Sequence, residues 1–179
     1  MHMVADTHCN RFGTDGYPIL VRKLDKKSTW GDVSDVSGDR IEHIASHVFP
    51  AAESQFSLYQ VNSDDELKRV VVGLNSYRQR LRDKIDFVAF THAEITTAGL
   101  SIVDSPGNTL CDAANRLHVD IVAPSPGHAA FRRLCAKVVE AHRPTFRISR
   151  VKAREMVGEL KQYGCHVFEA NTDCPCNSG

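Results

Sequence analysis

The chain has 179 residues, 42% of them hydrophobic and 25% charged, and its 22 Lys and Arg balance its 22 Asp and Glu. This composition is typical of a globular protein and excludes a disordered chain, and about 70% of the unfolded surface can be buried without a disulfide or a metal. No window approaches 18 uninterrupted apolar residues, and the first residues lack the basic and apolar regions of a signal peptide. We therefore expect a cytoplasmic protein with no membrane partner.

The six cysteines do not predict disulfides. Reduced thiols are the rule in a cytosolic protein of this size. Cys111 and Cys135 fall on the apolar faces of predicted helices, where a thiol behaves as a small hydrophobic group. Only Cys174 and Cys176, close to the end of the sequence, are expected to be exposed.

Residues 1–52 are the least regular part of the sequence. Residues 17–24 indicate one strand, with Pro18 at its start, where a missing N–H is tolerated. From Asp39 to Phe49 the apolar residues recur at helical spacing, and Pro50 ends this helix. We predict an irregular segment with one strand and one helix that packs on the main domain.

From residue 53 to residue 170, apolar strands alternate with amphipathic helices. This alternation favours a mixed or largely parallel sheet covered by helices, so we predict a single-domain, three-layer α/β fold. The predicted strands are 56–61, 85–90, 100–103, 119–123, 145–148 and 165–170. The predicted helices are 64–82, 108–117, 128–142 and 150–163, followed by a polar tail at 171–179. The expected core residues are Val71, Leu74, Phe87, Val88, Ile121, Leu134, Val138, Met156, Leu160 and Val167.

A His-x-Glu sequence, His92-Ala93-Glu94, directly follows an apolar strand. It matches the first half of the zinc deaminase signature, in which the histidine binds zinc and the glutamate transfers protons. The second half, a Pro-Cys-x-x-Cys, is missing downstream, so His92 and Glu94 are weak catalytic candidates. The structural alternative places both residues in the first turn of a helix, where Glu94 interacts favourably with the helix dipole.

The two ends of the sequence carry zinc-ligand types. His8 and Cys9 follow Asp6, and Cys174 and Cys176 surround a proline. Termini often lie close together in a domain, and a zinc ion joining these side chains is physically possible. The ligand sets are incomplete, however, so no cofactor is favoured and substoichiometric zinc is expected in purified protein.

Two further segments contain histidines in patterns that resemble known binding sites. His43 and His47 lie four residues apart on the predicted helix, but they lack the intervening Glu of a zinc protease helix. Ser125, Gly127 and His128 stand where a strand gives way to a helix, whose free amides can bind an anion. The same Pro-Ser-Pro-Gly sequence is also a common strand-to-helix connector.

Charge is distributed unevenly along the chain. Residues 1–66 carry 6 Lys or Arg against 11 Asp or Glu, and residues 121–163 carry 9 against 3. Such asymmetry can indicate a face that binds anions or nucleic acid, or pairing between the two regions. The basic residues concerned are Arg132, Arg133, Lys137, Arg147, Arg150, Lys152 and Arg154. If these side chains lie together on one surface, they should bind polyanions in a salt-dependent way. If they lie apart, or pair with acidic residues of the N-terminal region, no such binding is expected.

Our leading functional hypothesis is therefore a binding or regulatory module that recognises an anionic ligand or a partner through basic helix faces. One alternative is a metal-dependent, hydrolase-like enzyme that uses some of Asp6, His8, His92, Glu94, Cys174 and Cys176. Another is a structural subunit of a homo-oligomer whose oppositely charged halves pair between protomers.

Overall fold

The computed structural model describes residues 18–24, 37–50, 53–75, 84–109, 111–124, 128–141 and 146–162. The strands in these ranges are β1 (Ile19–Leu24), β2 (Gln55–Val61), β3 (Lys84–Phe90), β4 (Ser101–Asp104), β5 (His118–Val122) and β6 (Phe146–Ser149). Each begins and ends within two residues of a predicted strand. The strand predicted at 165–170 lies outside the described residues.

Six helices are described in the same ranges. They are α1 (Gly38–Val48), α2 (Asp64–Asn75), α3 (His92–Thr97), α4 (Asp112–Asn115), α5 (His128–Glu140) and α6 (Arg150–Gln162). Serine hydroxyls mark three of the helix starts by accepting from a backbone N–H three residues on, which satisfies a donor that the first turn leaves unpaired. These bonds join Ser37 to Arg40, Ser63 to Glu66, and Ser149 to Lys152.

The strands form one sheet in the order β4-β5-β2-β1-β3-β6, and every neighbouring pair is antiparallel. The α/β class is confirmed, but the expectation of a mixed or largely parallel sheet is wrong. A parallel pair needs a crossover between adjacent strands. Here the helices connect strands that are antiparallel neighbours, as β1 and β2 are, or strands that lie apart in the sheet, as β3 and β4 do. β1, from the segment predicted to be irregular, is an inner strand between β2 and β3.

Successive helices lie on alternate sides of the sheet. Helices α1, α3 and α5 share one hydrophobic core with the sheet, and α2 and α6 share a second core on the other side. Helix α4 packs against α2 and so belongs to the second side. The described helices and strands thus form three layers, as predicted.

The core on the α1 side is built around four phenylalanines. Phe131 stacks on Phe49 at 5.0 Å between ring centroids and meets Phe56 edge-on at 4.7 Å, and Phe49 also approaches Phe90 at 6.0 Å. The guanidinium of Arg22 lies over the rings of Phe49 and Phe56, at 5.2 and 5.0 Å from their centroids. Aromatic contacts of this kind add to the stabilisation that burial provides.

Most of the predicted core is confirmed. The buried members are Val71, Phe87, Val88, Ile121, Leu134, Val138 and Met156. Leu74 is only partly buried, against the core on the α2 side, while Val167 and the side chain of Leu160 lie outside the described residues.

Cys111 and Cys135 are buried free thiols, and burial raises the pKa of Cys135 far above its usual value despite the nearby charge of Arg22. None of the described helices is both long enough and apolar enough to cross a membrane.

Candidate functional site

Three polar side chains are buried among the described residues, and two of them have structural explanations. Asn75 donates its amide to the carbonyl oxygen of Val71 at 2.8 Å, within the last turn of α2. Asp86 on β3 accepts two hydrogen bonds from the guanidinium of Arg147 on β6, at 2.8 and 3.2 Å. The third, Asp120, forms no ion pair with a lysine or an arginine among the described residues.

Asp120 is 5% exposed and lies on β5. Gln55 donates its side-chain amide to the carboxylate at 2.7 Å, and the hydroxyls of Ser57 and Ser105 also bond to it. Burial raises the pKa of Asp120, but the hydrogen bonds from Ser105, Gln55 and Ser57, together with the charge of His118, outweigh burial and hold it below its usual value. The side chain is therefore an ionised carboxylate at neutral pH.

His118 lies two residues before Asp120 on the same strand and so on the same face of the sheet. Its Nδ1 is 2.8 Å from the carbonyl oxygen of Ser105. A carbonyl oxygen can only accept, so Nδ1 carries the proton, and in the neutral ring Nε2 keeps its lone pair. The ring also meets Tyr59 edge-on, at 5.2 Å between centroids. Both contacts fix the orientation of the imidazole.

The loop that follows β4 is held by Asn115 of α4. The side-chain oxygen of Asn115 accepts from the backbone N–H and the hydroxyl of Thr109, at 2.8 and 2.7 Å. Its amide nitrogen donates to the carbonyl oxygen of Thr109 at 2.8 Å. A single side chain thus clamps the loop against α4.

Gly107 allows this loop to approach α4 and β5 closely. A Cβ at this position would stand 2.9 Å from Oδ1 of Asn115 and 3.2 Å from Cβ of His118. The backbone N–H of Gly107 also donates to the carbonyl oxygen of Asn115 at 3.2 Å. Glycine is required here because any side chain would push the loop away from His118.

The loop that Asn115 holds and the start of β5 line an open cleft of about 460 Å³. Its lining consists of Asp104, Ser105, Pro106, Gly107, Asp112, Asn115, Arg116 and His118. This volume falls within the range of small-molecule binding sites, roughly 300–1,000 Å³. Asp104, Asp112 and Arg116 are exposed, and among the described residues their side chains form no ion pair.

One of the two predicted catalytic candidates, Glu94, has a structural role at the start of α3. The hydroxyl of Thr91 accepts from the backbone N–H of Glu94 at 3.1 Å, and the carboxylate of Glu94 accepts from the backbone N–H of Thr91 at 2.8 Å. This reciprocal pair is a capping box. His92 is exposed beside it. Within the described ranges, no group of three or more His, Cys, Asp or Glu is arranged to hold a metal ion.

The basic residues predicted to bind anions do not converge. Arg132 and Arg133 lie on α5, on one side of the sheet, whereas Arg150 and Arg154 lie on α6, on the other. Arg132 forms an ion pair with Glu42 of α1 at 3.0 Å. The guanidinium of Arg133 donates twice to the carbonyl oxygen of Ala98, at 3.0 and 2.8 Å, and so satisfies the end of α3.

The remaining predicted site residues fall outside the described residues. These are Asp6, His8, Cys9, Ser125, Gly127, Cys174 and Cys176. The backbone of His128 begins α5, as predicted, but its side chain is likewise outside the description.

Sequence reasoning did not identify His118, Asp120 or Arg116 as site residues. The available signal was the alternation His118-Val119-Asp120-Ile121 within an otherwise apolar strand, which places two polar side chains together on one face. The proximity of Ser105 could not be derived in this way, because it depends on the pairing of β4 with β5.

In comparisons with known proteins, no family model, no curated protein and no solved structure matches this chain.

Proposed function

We propose that this protein is a binding domain for a small polar molecule that carries an anionic group, and that the molecule binds in the cleft beside His118. The observation that carries the proposal is the preorganised imidazole of His118, which lines a cleft that also presents Arg116. The sequence hypothesis of an anion-binding module is retained, but the binding groups are now those of the cleft and not the basic helix faces.

Arg116 supports the anionic part of the ligand. A guanidinium without an ion pair among the described residues can form a bidentate contact with a carboxylate or a phosphate. His118 can donate from Nε2 when protonated and accept at Nε2 when neutral, so it can bind either a charged oxygen or a hydroxyl group.

Asp104 and Asp112 restrict the rest of the ligand. Two carboxylates at the same cleft outnumber the one guanidinium, so they disfavour any anionic group beyond the one that Arg116 binds and favour an amine or several hydroxyl groups. The chemical class that fits best therefore combines one acidic group with hydrogen-bond donors, as amino acids, hydroxy acids and phosphorylated polyols do.

A binding screen with site-resolved variants tests this proposal. Amino acids, hydroxy acids and sugar phosphates would be titrated into isotope-labelled full chain while amide chemical shifts are followed by NMR. Binding should shift amides within 104–118. Arg116→Gln should weaken binding at least about tenfold, since a hydrogen bond to a charged group is worth about 1.5–3 kcal/mol. Arg154→Gln is the matched control, because Arg154 is exposed on α6 without an ion pair among the described residues.

His118→Asn provides the sharper variant. The amide nitrogen of asparagine can replace Nδ1 and keep the bond to Ser105, but nothing replaces Nε2. We expect weaker ligand binding with little loss of stability. The proposal fails if no compound of the three classes shifts the 104–118 amides at millimolar concentration, or if Arg116→Gln and His118→Asn both bind as tightly as the unmodified chain.

The two alternative hypotheses keep tests of their own. The metal-dependent hydrolase hypothesis uses His92 and Glu94 as well as terminal residues outside the described ranges, and one zinc per chain, lost in a Cys174→Ser, Cys176→Ser variant, would support it. The oligomer hypothesis is tested by measuring the mass of the protein in solution at several concentrations.

A further inference from the structure

His43 and His47 form a close pair on the outer surface of α1. They are one helical turn apart, both are exposed, and their ring centroids are 4.4 Å apart with an interplanar angle of 47°. The pair lies on the side of the sheet opposite to α2, so it is separate from the cleft at His118.

The orientation of His47 leaves one nitrogen available. Its Nδ1 is 2.8 Å from the backbone carbonyl oxygen of His43, so Nδ1 donates and the lone pair of the neutral ring is on Nε2. Metal-binding histidines commonly use this arrangement, in which one ring nitrogen donates to a carbonyl or carboxylate and the other binds the metal.

From these two observations we infer that His43 and His47 form a two-histidine chelate for a divalent first-row transition metal ion. Imidazole nitrogen suits Ni²⁺, Cu²⁺ and Zn²⁺ and does not suit Mg²⁺ or Ca²⁺. Since no third ligand completes a site among the described residues, water fills the remaining coordination positions and the affinity is modest.

The charges around the pair do not oppose a cation. Asp39 lies one turn before His43 on the same exposed stripe of α1. Arg132, across the interface with α5, is paired with Glu42 at 3.0 Å, so its charge is compensated. Arg40, also one turn before His43, balances the charge of Asp39, so a divalent ion approaches a formally neutral surface.

Titration of the reduced full chain with Ni²⁺ tests this inference. Paramagnetic Ni²⁺ should broaden NMR signals of α1 first, centred on Ile44 and Ser46. His43→Gln and His47→Gln should each weaken this binding at least tenfold, whereas Mg²⁺ should produce no change. His92→Gln is the matched control, because His92 is also exposed on a helix but has Thr96 and not a histidine one turn later.

The site-resolved signal separates this pair from the cysteines and histidine near the termini, which can also bind metal. Far-UV circular dichroism should be unchanged in the variants, since both side chains are exposed. The inference is overturned if Ni²⁺ broadens other regions while α1 stays sharp, or if the His43→Gln, His47→Gln double variant retains the same α1 broadening.

Discussion

Gly73 of α2 packs so closely against Ala114 of α4 that a Cβ on the glycine would stand 2.6 Å from the Cβ of Ala114. The same Cβ would lie 3.0 Å from the hydroxyl of Thr109, the residue that Asn115 clamps. The absence of a side chain at residue 73 thus lets α4 sit against α2 while it holds the loop of the cleft.

Gly73→Ala should therefore destabilise the protein by about 1–3 kcal/mol, the typical cost of overpacking a core. Gly158→Ala is the matched control. Position 158 is also within a helix, but a Cβ there would meet no atom within 4 Å. The control should stabilise the protein by up to about 1 kcal/mol, because alanine is the better helix former. Urea unfolding of the three proteins measures both effects, and equal effects of the two substitutions would contradict the packing described.

The ionised carboxylate of Asp120 predicts a specific loss of stability in acid. Its pKa in the folded protein lies below the unfolded value of about 3.9, so its contribution is fully present above that pH and is lost as the pH falls through the folded pKa. The free energy of unfolding of the unmodified chain should exceed that of Asp120→Asn most at about pH 6, with the difference shrinking below about pH 4.

Ser57→Ala tests the cause of that dependence. It removes one of the donors that hold the carboxylate ionised, so the pH-dependent part of the difference should become smaller. A difference between the unmodified chain and Asp120→Asn that stays constant between about pH 6 and pH 3 would show that the hydrogen bonds do not stabilise the charge.

Leu74 and Leu134 differ in burial, so their replacement by alanine should lower the free energy of unfolding by different amounts. Leu134 is fully buried on the α1 side of the sheet, whereas Leu74 is only partly buried on the other side. We expect Leu134→Ala to cost about 3–5 kcal/mol and Leu74→Ala about 2 kcal/mol, both measured by urea unfolding. A loss below about half a kilocalorie for Leu74→Ala would mean that this side chain packs on nothing in solution.

Nucleic acid should bind weakly, because the arginines of α5 and α6 lie on opposite sides of the sheet. In addition, three of the seven basic residues are in ion pairs, with Glu42, Asp86 and Glu155. Titrations with single- and double-stranded oligonucleotides at about 50 mM and about 200 mM salt should show a logarithmic slope of magnitude below about 3. A slope of about 6 or more would require many simultaneous phosphate contacts and would contradict the separation of these arginines.

Most helices and strands could be located from the sequence, because burying one face of an element requires apolar residues at regular spacing. The apolar spacing of Ile41, Ile44, Ala45 and Val48 marks the inner face of α1, and all four residues are buried. The relative direction of neighbouring strands has a weaker effect on the sequence pattern. In β2 the buried Phe56 and Leu58 alternate with the exposed Gln55 and Ser57, a pattern typical of antiparallel sheets with one open face. Our prediction relied more on the strand–helix alternation, and for this reason it was wrong about the relative direction of neighbouring strands.

The candidate site was harder to predict than the fold. Its residues come from β2, the loop after β4, α4 and β5, and only the pairing of β5 with both β2 and β4 brings Asp120 beside Ser57 and Ser105. The motif-based candidates His92 and Glu94 stay a prediction, and the glutamate of this His-x-Glu sequence also belongs to a capping box. A cap and half of a metal motif use the same residue types, and sequence alone does not separate them.

The alternation of the helices between the two sides of the sheet affects how the chain can fold during its synthesis. The layer beside α1 is completed by α5, and the layer beside α2 is completed by α6. Both faces of the sheet are therefore only partly covered until the last third of the chain has left the ribosome. The outer neighbour of β3 is β6, which is also made late. Contacts that join such distant parts of a sequence slow folding and expose apolar strands meanwhile. The growing chain therefore exposes apolar strand surface until its last two helices have been made.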